Sequence, residues 1–264
     1  MADQPKGYVD AAYLDLHKVL LDRAKKTTYD LLRLAPGHRV LDVGCGPATD
    51  TISLGRLVGP SGEVVGVDYD VEMVDEANRR AAAAGVGAWV KHRQADAAGL
   101  PFEPNVFDAA RSERVFQHLL DPERTLAEMA RVTRPAGWIV IMDPDWGTLS
   151  LDTPETELER RLTRFLVDRC VNNAYSGRRL LRQFKRQGLE DVKVRVGHLP
   201  LTSYALAREV LVLDRLEPQA LAAGVFTRDE LARLQTSFEE ADRAGYFFAS
   251  VSGVTVAGRK SAQG

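Results

Sequence analysis

The chain has 264 residues, of which 45% are hydrophobic and 27% are charged, and its formal net charge is −2. This length and composition indicate a single globular domain with a sizeable core. The nearly balanced charge gives no general attraction to nucleic acid or to anionic membranes, so neither is an expected partner. Because no signal peptide and no apolar run of about 18 residues is present, we expect a cytoplasmic protein.

Helical and strand patterns alternate along the chain through about residue 142. Leucines at helical spacing over residues 10–34 predict an N-terminal helix that ends before Pro36 and Gly37. Strand and helix alternation favours a doubly wound, mostly parallel sheet with helices on both faces, an α/β fold. Apolar runs predict strands near residues 40, 64 and 90 and over 106–110 and 138–142, with helices beginning near residues 49, 71 and 122.

The rhythm changes after Asp143. A helix over 177–187 and strands over 191–196 and 247–257 complete a predicted sheet of seven strands. The helical patterns over 146–175 and 203–244, the latter a pair at 203–223 and 227–244, do not fit this alternation. We interpret them as insertions that form a substrate lid on one domain spanning 1–264, with residues 1–36 as a helical cap.

A glycine turn after the first strand is the most informative feature. Gly44 and Gly46 allow a sharp turn and a close approach of ligand to main chain. A dinucleotide site usually has a third glycine, whereas Pro47 here removes an amide donor. Asp42 and Asp50 place negative charge where a pyrophosphate would bind. These acids suit a ligand that carries an ammonium group.

S-adenosylmethionine (SAM) has such an ammonium group, together with a sulfonium, a ribose diol and an adenine. Asp68 ends the second strand and lies 22 residues beyond Gly46, a spacing that suits a carboxylate bound to both ribose hydroxyls. Asp96 ends the third strand candidate and could accept from the adenine amino group. Asp42, Asp68 and Asp96 could therefore bind the ammonium group, the ribose and the adenine of SAM.

The segments VLDVGCG, GVDYD, QADAAGLPF, FDAARSERVFQHL and RPAGWIVIMDPDW resemble class I SAM-dependent methyltransferases. The resemblance covers residues 35–145 and is closest to the small-molecule group related to ubiquinone and menaquinone C-methyltransferases. It implies methyl transfer to an O, N or C centre of a small hydrophobic or aromatic metabolite. Pro47 and Ala48 replace the more usual Thr-Gly, and further signatures of the quinone-pathway enzymes are missing, so the acceptor is left open.

The resemblance also implies site roles. Asp42 and the turn would hold the methionine tail, Asp68 the ribose, and Asp96 with Ala97 the adenine. In an open α/β sheet these groups meet at the carboxyl ends of the strands, where the chain order reverses. The expected cofactor-binding residues are Asp42, Gly44, Cys45, Gly46, Asp68, Tyr69, Met73, Asp96, Ala97, Arg111, Ser112 and Glu113.

Candidate catalytic residues follow the fourth and fifth strands. His118 is a candidate general base, required if the acceptor must lose a proton. Asp143 and Asp145 could polarise the acceptor or position His118. The string Asp-Pro-Asp-Trp follows the fifth strand instead of the fourth, which speaks against nucleic-acid amino-methylation. Metal use is not expected, because no other clustered oxygen ligands accompany this pair and Cys45 and Cys170 form no metal pattern.

Further hypotheses concern the site walls and rival functions. His17 shares a helix face with Tyr13 that could close over the cofactor, and aromatic residues could line an apolar acceptor pocket. The alternatives are a SAM-binding protein that transfers no methyl group and, less favoured, a nicotinamide-dependent oxidoreductase. The oligomeric state is left open. The aromatic candidates are Phe116, Trp146, Phe165, Tyr175, Tyr204 and Phe226.

Overall fold

The structure is a computed structural model and describes residues 13–15, 20 and 22–262. The N-terminal helix predicted over 10–34 is represented in it by α1 (Asp22–Leu32). His17 and most of the predicted cap before α1 lie outside the described residues.

Residues 22–262 contain seven strands and nine α-helices, joined by loops and short turns. The first half contains α1, β1 (Arg39–Val43), α2 (Thr51–Val58), β2 (Glu63–Asp68), α3 (Val71–Ala83), β3 (Val90–Gln94), β4 (Phe107–Glu113), α4 (Pro122–Val132) and β5 (Thr133–Leu151). The second half contains α5 (Thr156–Phe165), α6 (Ser176–Arg186), β6 (Glu190–Leu201), α7 (Tyr204–Val210), α8 (Leu213–Ala222), α9 (Arg228–Arg243) and β7 (Ala249–Arg259). None of the helices described is long and apolar enough to cross a bilayer.

The strands form one sheet in the order β3-β2-β1-β4-β5-β7-β6. β1 to β5 run parallel, and β7 lies antiparallel between β5 and β6. The prediction of a seven-stranded, mostly parallel, doubly wound α/β sheet is therefore confirmed. Its chain order reverses between β1 and β4, where ligands of such sheets bind.

Apolar side chains of the strands point alternately to the two faces of the sheet, and both faces are covered by helices. Val40 of β1 packs with residues of α1, α2 and α3, whereas the next residue, Leu41, packs with α4 and α6. Successive side chains of a strand point to opposite faces, so a strand buried on both sides needs a continuous apolar run. On the helices, the core residues include Leu32, Leu54, Ala81, Leu126, Met129, Leu180 and Phe184.

Three strands are longer than the sequence predicts, and one of them, β6, runs from Glu190 to Leu201 where 191–196 is expected. β4 includes Arg111 and Glu113, which we expected beyond the end of the strand. β5 continues to Leu151 because β7 pairs with it from Trp138 to Leu151. The lid insertion predicted over 146–175 consequently begins as strand. A local pattern gives no sign of this extension, since the partner strand lies about 110 residues downstream.

The lid segment after β6 forms three helices where the sequence predicts a pair. Val212 has a φ of +51° and separates α7 from α8. These helices have their own core, in which the ring of Tyr204 lies 5.5 Å from those of both Phe238 and Phe247. Phe226 is buried in the same cluster, so Tyr204 and Phe226 both take part in core packing.

The turn after β1 adopts left-handed backbone at three alternate positions. Gly44, Gly46 and Ala48 have φ values of +73°, +51° and +66°. Ala48 thus takes the conformation that a third glycine would favour. The Gly44 N–H donates to the Val67 carbonyl at 2.8 Å, and a Cβ on Gly44 would lie 2.2 Å from Cγ2 of Val115. Residue 44 must adopt a positive φ and must leave the space that Val115 occupies, and only glycine does both without strain.

Gly44→Ala should therefore destabilise the protein more than Gly85→Ala. Both residues have a φ of +73°, but a Cβ on Gly85 meets nothing within 4 Å. Left-handed backbone costs an alanine about 1–2 kcal/mol, and overpacking against Val115 should add about 1–3 kcal/mol at residue 44 alone. Urea denaturation of both variants measures the difference. Equal losses would show that the turn does not press against Val115.

Candidate functional site

The carboxyl ends of β1, β2 and β4 meet at the point where the chain order reverses. Asp68, the last residue of β2, accepts hydrogen bonds from the Gly46 N–H at 2.9 Å and from the Asp70 N–H at 3.0 Å. Burial raises the pKa of Asp68, although these two N–H groups oppose the rise. The carboxylate is thus held beside the glycine turn.

Cys45 contributes main chain to this turn. Its N–H donates to the Val67 carbonyl at 3.0 Å, and its side chain is buried so close to Gly66 that a Cβ there would lie 2.8 Å from the sulfur. Burial, reinforced by Asp68 and Asp42, raises the pKa of the thiol. Cys45 is therefore a neutral core residue whose backbone shapes the turn.

The residues predicted to hold an adenine lie along the ends of β2 and β3. Asp96 is exposed two residues beyond β3, and its carboxylate accepts from the Ala98 N–H at 2.9 Å. Tyr69 is 63% exposed, whereas Met73 is buried at the start of α3. Ala97 is half-buried. An acid and an aromatic ring thus border an open surface beside the turn.

Arg111 lies fully buried within β4, under the turn. Its Nη1 is 3.3 Å from Asp42 and 3.1 Å from Asp50, and its Nη2 is 2.5 Å from Glu113. Ser112 points to the other face and donates to the Val43 carbonyl at 2.9 Å. The expectation that Arg111 to Glu113 follow the strand is wrong, because the strand runs through all three.

Helix α1 adds two residues that the sequence analysis did not identify. Lys25 Nζ lies 2.8 Å from Asp50 and 2.5 Å from Glu113, and the Tyr29 hydroxyl donates to Asp50. Lys25 and Tyr29 are four residues apart and so share one face of α1. That spacing was the available signal, but no motif marks it. We call Lys25, Asp42, Asp50, Arg111 and Glu113 the charge cluster.

The charge cluster contains three carboxylates and two cations. Burial raises the pKa of Asp42 to about 7, with Arg111 acting in the opposite direction. Burial also acts to raise the pKa of Asp50, but Arg111 and Lys25 outweigh it and hold that pKa below its ordinary value. When Asp42 is ionised, the cluster has one negative charge in excess. Its carboxylates can accept hydrogen bonds from a ligand with an ammonium group, as SAM has, and that ligand would balance the charge.

His118 ends a short 3₁₀ turn, Phe116–His118, just beyond β4. It is half-buried and lines a cavity of about 60 Å³ together with Arg114, Trp146 and lid residues that include Val212. Of the six aromatic candidates, Trp146 lines this cavity, whereas Phe116 belongs to the core under the sheet.

Asp143 and Asp145 do not line this cavity. Along β5, Trp146 points towards it, so alternation turns Asp143 and Asp145 to the face covered by α6. Asp145 pairs with Arg178 at 2.5 Å. Asp143 is fully buried, and neither carboxylate oxygen has a partner of hydrogen-bond geometry. Burial raises its pKa to about 7, against the influence of Ser176 and the Gln117 N–H.

A second cavity of about 250 Å³ lies against β5, β6 and β7 on the face that α1 covers. Both cavities share Arg114, Trp146 and Val210 in their walls and so adjoin one another. Within the part of the chain that the structure describes, no three His, Cys, Asp or Glu side chains form a group that could hold a metal ion. The site thus combines two groups of residues. Asp68, Asp96 and the charge cluster lie around the strand ends where the chain order reverses, and we call them the acidic crevice; beside them lies a largely apolar pair of cavities.

The family described as "Methyltransferase domain" matches residues 34–192, more than half of the chain. The chain is 38% identical to an uncharacterized 37.1 kDa protein in transposon TN4556 of Streptomyces fradiae, over 86% of this chain and 64% of that protein. It is 32% identical to demethylmenaquinone methyltransferase of Desulfitobacterium hafniense, over 45% of this chain and 47% of that enzyme. A solved structure of geranyl diphosphate methyltransferase in complex with SAM shares the fold, with a TM-score of 0.57, 21% identity and 98% of each chain covered.

The chain spans about half to two thirds of the length of these two relatives. The part of the chain that matches the family includes the glycine turn and the ends of β1 to β5, which carry the residues of the acidic crevice. The resemblance to methyltransferases, including those of menaquinone synthesis, is thereby confirmed. The chain belongs to the family of class I SAM-dependent methyltransferases.

Proposed function

We propose that the protein transfers a methyl group from SAM to an O, N or C centre of a small, largely apolar metabolite. The observation that carries this proposal is the row of acids at the ends of β1, β2 and β3, next to cavities that Arg114 and Trp146 wall. The acids match the polar groups of SAM, and the cavities have room for an acceptor. The absence of nucleic-acid partners and the cytoplasmic location stay predictions.

The cofactor supplies a methyl group on a sulfonium, and the residues of the chain supply alignment. Asp68 would accept from the ribose hydroxyls and Asp96 from the adenine amino group, while the charge cluster would receive the ammonium. Methyl transfer is an in-line displacement, so catalysis requires mainly positioning and exclusion of water. His118 would remove a proton where the acceptor carries one.

The two alternatives make different demands on the same crevice. A nicotinamide dinucleotide would bring a pyrophosphate against the acids of the charge cluster, which repel it. A SAM-binding protein that transfers no methyl group would bind as the enzyme does but yield no methylated product. Binding therefore separates the first alternative from our proposal, and product analysis separates the second.

Calorimetric titration should detect micromolar binding of SAM and of S-adenosylhomocysteine but not of NADH. Asp68→Asn should weaken SAM binding about 5- to 150-fold, because a charge-assisted contact to the diol contributes about 1–3 kcal/mol. Asp75→Asn, an exposed position on α3, is the matched control and should bind as the wild type does. Failure of SAM and S-adenosylhomocysteine to bind would overturn the proposal, and wild-type affinity in Asp68→Asn would remove the ribose assignment.

His118→Ala should lower kcat for an acceptor that loses a proton by about 10²-fold or more, the usual contribution of a general base. SAM affinity should stay unchanged, because His118 lines the small cavity and not the acidic crevice. Mass spectrometry of methylated product over an acceptor panel measures turnover, with His38→Ala as the control. Unchanged kcat would exclude His118 as the base.

Asp143→Asn should stabilise the protein at pH 8 and change it little at pH 4. The pKa of Asp143 is about 7 in the folded state, against about 3.8 for an unburied aspartate. Between these values the unfolded chain has lost a proton that the folded protein keeps, so the wild-type free energy of unfolding falls as pH rises from about 4 to about 7. The asparagine does not titrate, and the variant escapes this loss.

The gain at pH 8 should reach a few kcal/mol, since one pKa unit corresponds to about 1.4 kcal/mol. Urea denaturation at pH 4, 6 and 8 measures it. Asp145→Asn is the control, because it removes the partner of Arg178 and should bring no such gain. A stability difference between Asp143→Asn and wild type that does not vary with pH would contradict the assignment.

A further inference from the structure

Arg114 lies at the junction of the two cavities, one residue beyond β4. It has left-handed backbone, with a φ of +59°. Its N–H donates to the Met142 carbonyl at 2.8 Å, and its own carbonyl accepts from Gln117 Nε2 at 3.0 Å. A non-glycine residue in this conformation is costly and persists where its surroundings fix it, often at a functional site. Both main-chain bonds hold Arg114 in place.

The Arg114 guanidinium differs from that of Arg111 in having no carboxylate partner. Arg111 contacts three acids, whereas no described carboxylate oxygen lies within 4.0 Å of the Arg114 nitrogens. Arg114 Nη2 is 3.3 Å from the Tyr13 hydroxyl, and the guanidinium lies over the Tyr13 ring at 5.3 Å. Tyr13 in turn donates to the Val210 carbonyl of α7 at 2.8 Å. A half-buried cation thus faces the cavities, and among the described residues the Tyr13 hydroxyl is the acceptor that its guanidinium contacts.

The other described residues in the walls of the two cavities are neutral or positively charged. None of the described residues that line either cavity is acidic, although the chain contains 37 Asp and Glu residues. Arg195 lies at the exposed mouth of the larger cavity, on edge strand β6, and Arg215 lines the smaller one. The positive charge at Arg114 is therefore not neutralised from any described part of the cavity walls.

Apolar groups form the body of the larger cavity. Met142 and Pro144 of β5 line it together with Leu199, Val210 and Val251. A ligand that fills this space needs an apolar body, and a ligand that reaches Arg114 gains from an anionic group there. Arg recognises carboxylate and phosphate through parallel N–H donors, and such bonds are strong where water is restricted.

We propose that the acceptor is an apolar metabolite that carries an anionic group, a carboxylate or a phosphate, and that Arg114 binds this group. The proposal rests on the proposed function and specifies the acceptor class of that site. Charge then divides the two ligands, because the acids of the charge cluster attract the cationic tail of SAM while Arg114 attracts the anionic acceptor. Arg195, at the open mouth, contributes attraction that solvent screens.

The test is a binding panel of small aryl and alkyl carboxylates and phosphates, each paired with an uncharged amide or alcohol of equal size. Intrinsic tryptophan fluorescence, to which Trp146 in the walls of both cavities contributes, reports binding without turnover. At least one anion should bind about 10-fold or more tighter than its neutral counterpart. Arg114→Gln should reduce that preference to about 2-fold or less, and Arg195→Gln, at an exposed position, should keep most of it.

The outcomes separate this proposal from the proposed function. Absence of any anion preference in the wild-type protein, or a preference that folded Arg114→Gln retains in full, would overturn the role of Arg114. Should Arg114→Gln fail to fold, loss of the wild-type preference in Arg195→Gln would overturn it as well. Calorimetry with S-adenosylhomocysteine runs in parallel, and its failure would overturn the methyltransferase proposal while leaving the anion preference to stand or fall by itself.

Discussion

The buried guanidinium of Arg111 is the interaction on which the rest of the site depends. Burying a charge costs several kcal/mol unless partners compensate it with good geometry. Asp42 comes from β1, Asp50 from the start of α2, Glu113 from β4 and Lys25 from α1. Arg111 therefore fixes β1, α2 and β4 relative to one another, and Lys25 adds α1 through Asp50 and Glu113. The glycine turn between β1 and α2 is fixed with them.

This arrangement explains why the acidic crevice and the cavities lie side by side without mixing. β4 carries Arg111 inward to the acids and ends at Glu113, and the next residue, Arg114, turns through left-handed backbone towards the lid. Arg111 thus lies among carboxylates, whereas Arg114, three positions later, lies in the walls of the two cavities. The change of backbone conformation at Arg114 is what separates a region rich in carboxylates from one that has none in its described walls.

Sequence predicts those features that local pattern determines. Apolar runs predicted the sheet correctly, and the glycines at 44 and 46 and the strand-end Asp68 located the turn after β1, because each of these signals lies within a few residues. Lys25 was missed because its partner Glu113 lies 88 residues away. The orientation of Asp143 could not be predicted either, since the length of β5 depends on its pairing with β7. Such features follow from tertiary contacts that periodicity does not encode.

The central position of β7 has a consequence for folding kinetics. Among the described strands β6 pairs with β7 alone, and β7 reaches β5 through pairs such as Met142 with Thr255. β5 and β7 are far apart along the chain, and bringing them together costs chain entropy before their hydrogen bonds compensate it. Pairing of such distant strands is therefore slow. Until β7 inserts, β5 and β6 both present open edges with unpaired N–H and C=O groups. Self-association at these edges competes with the last step of folding.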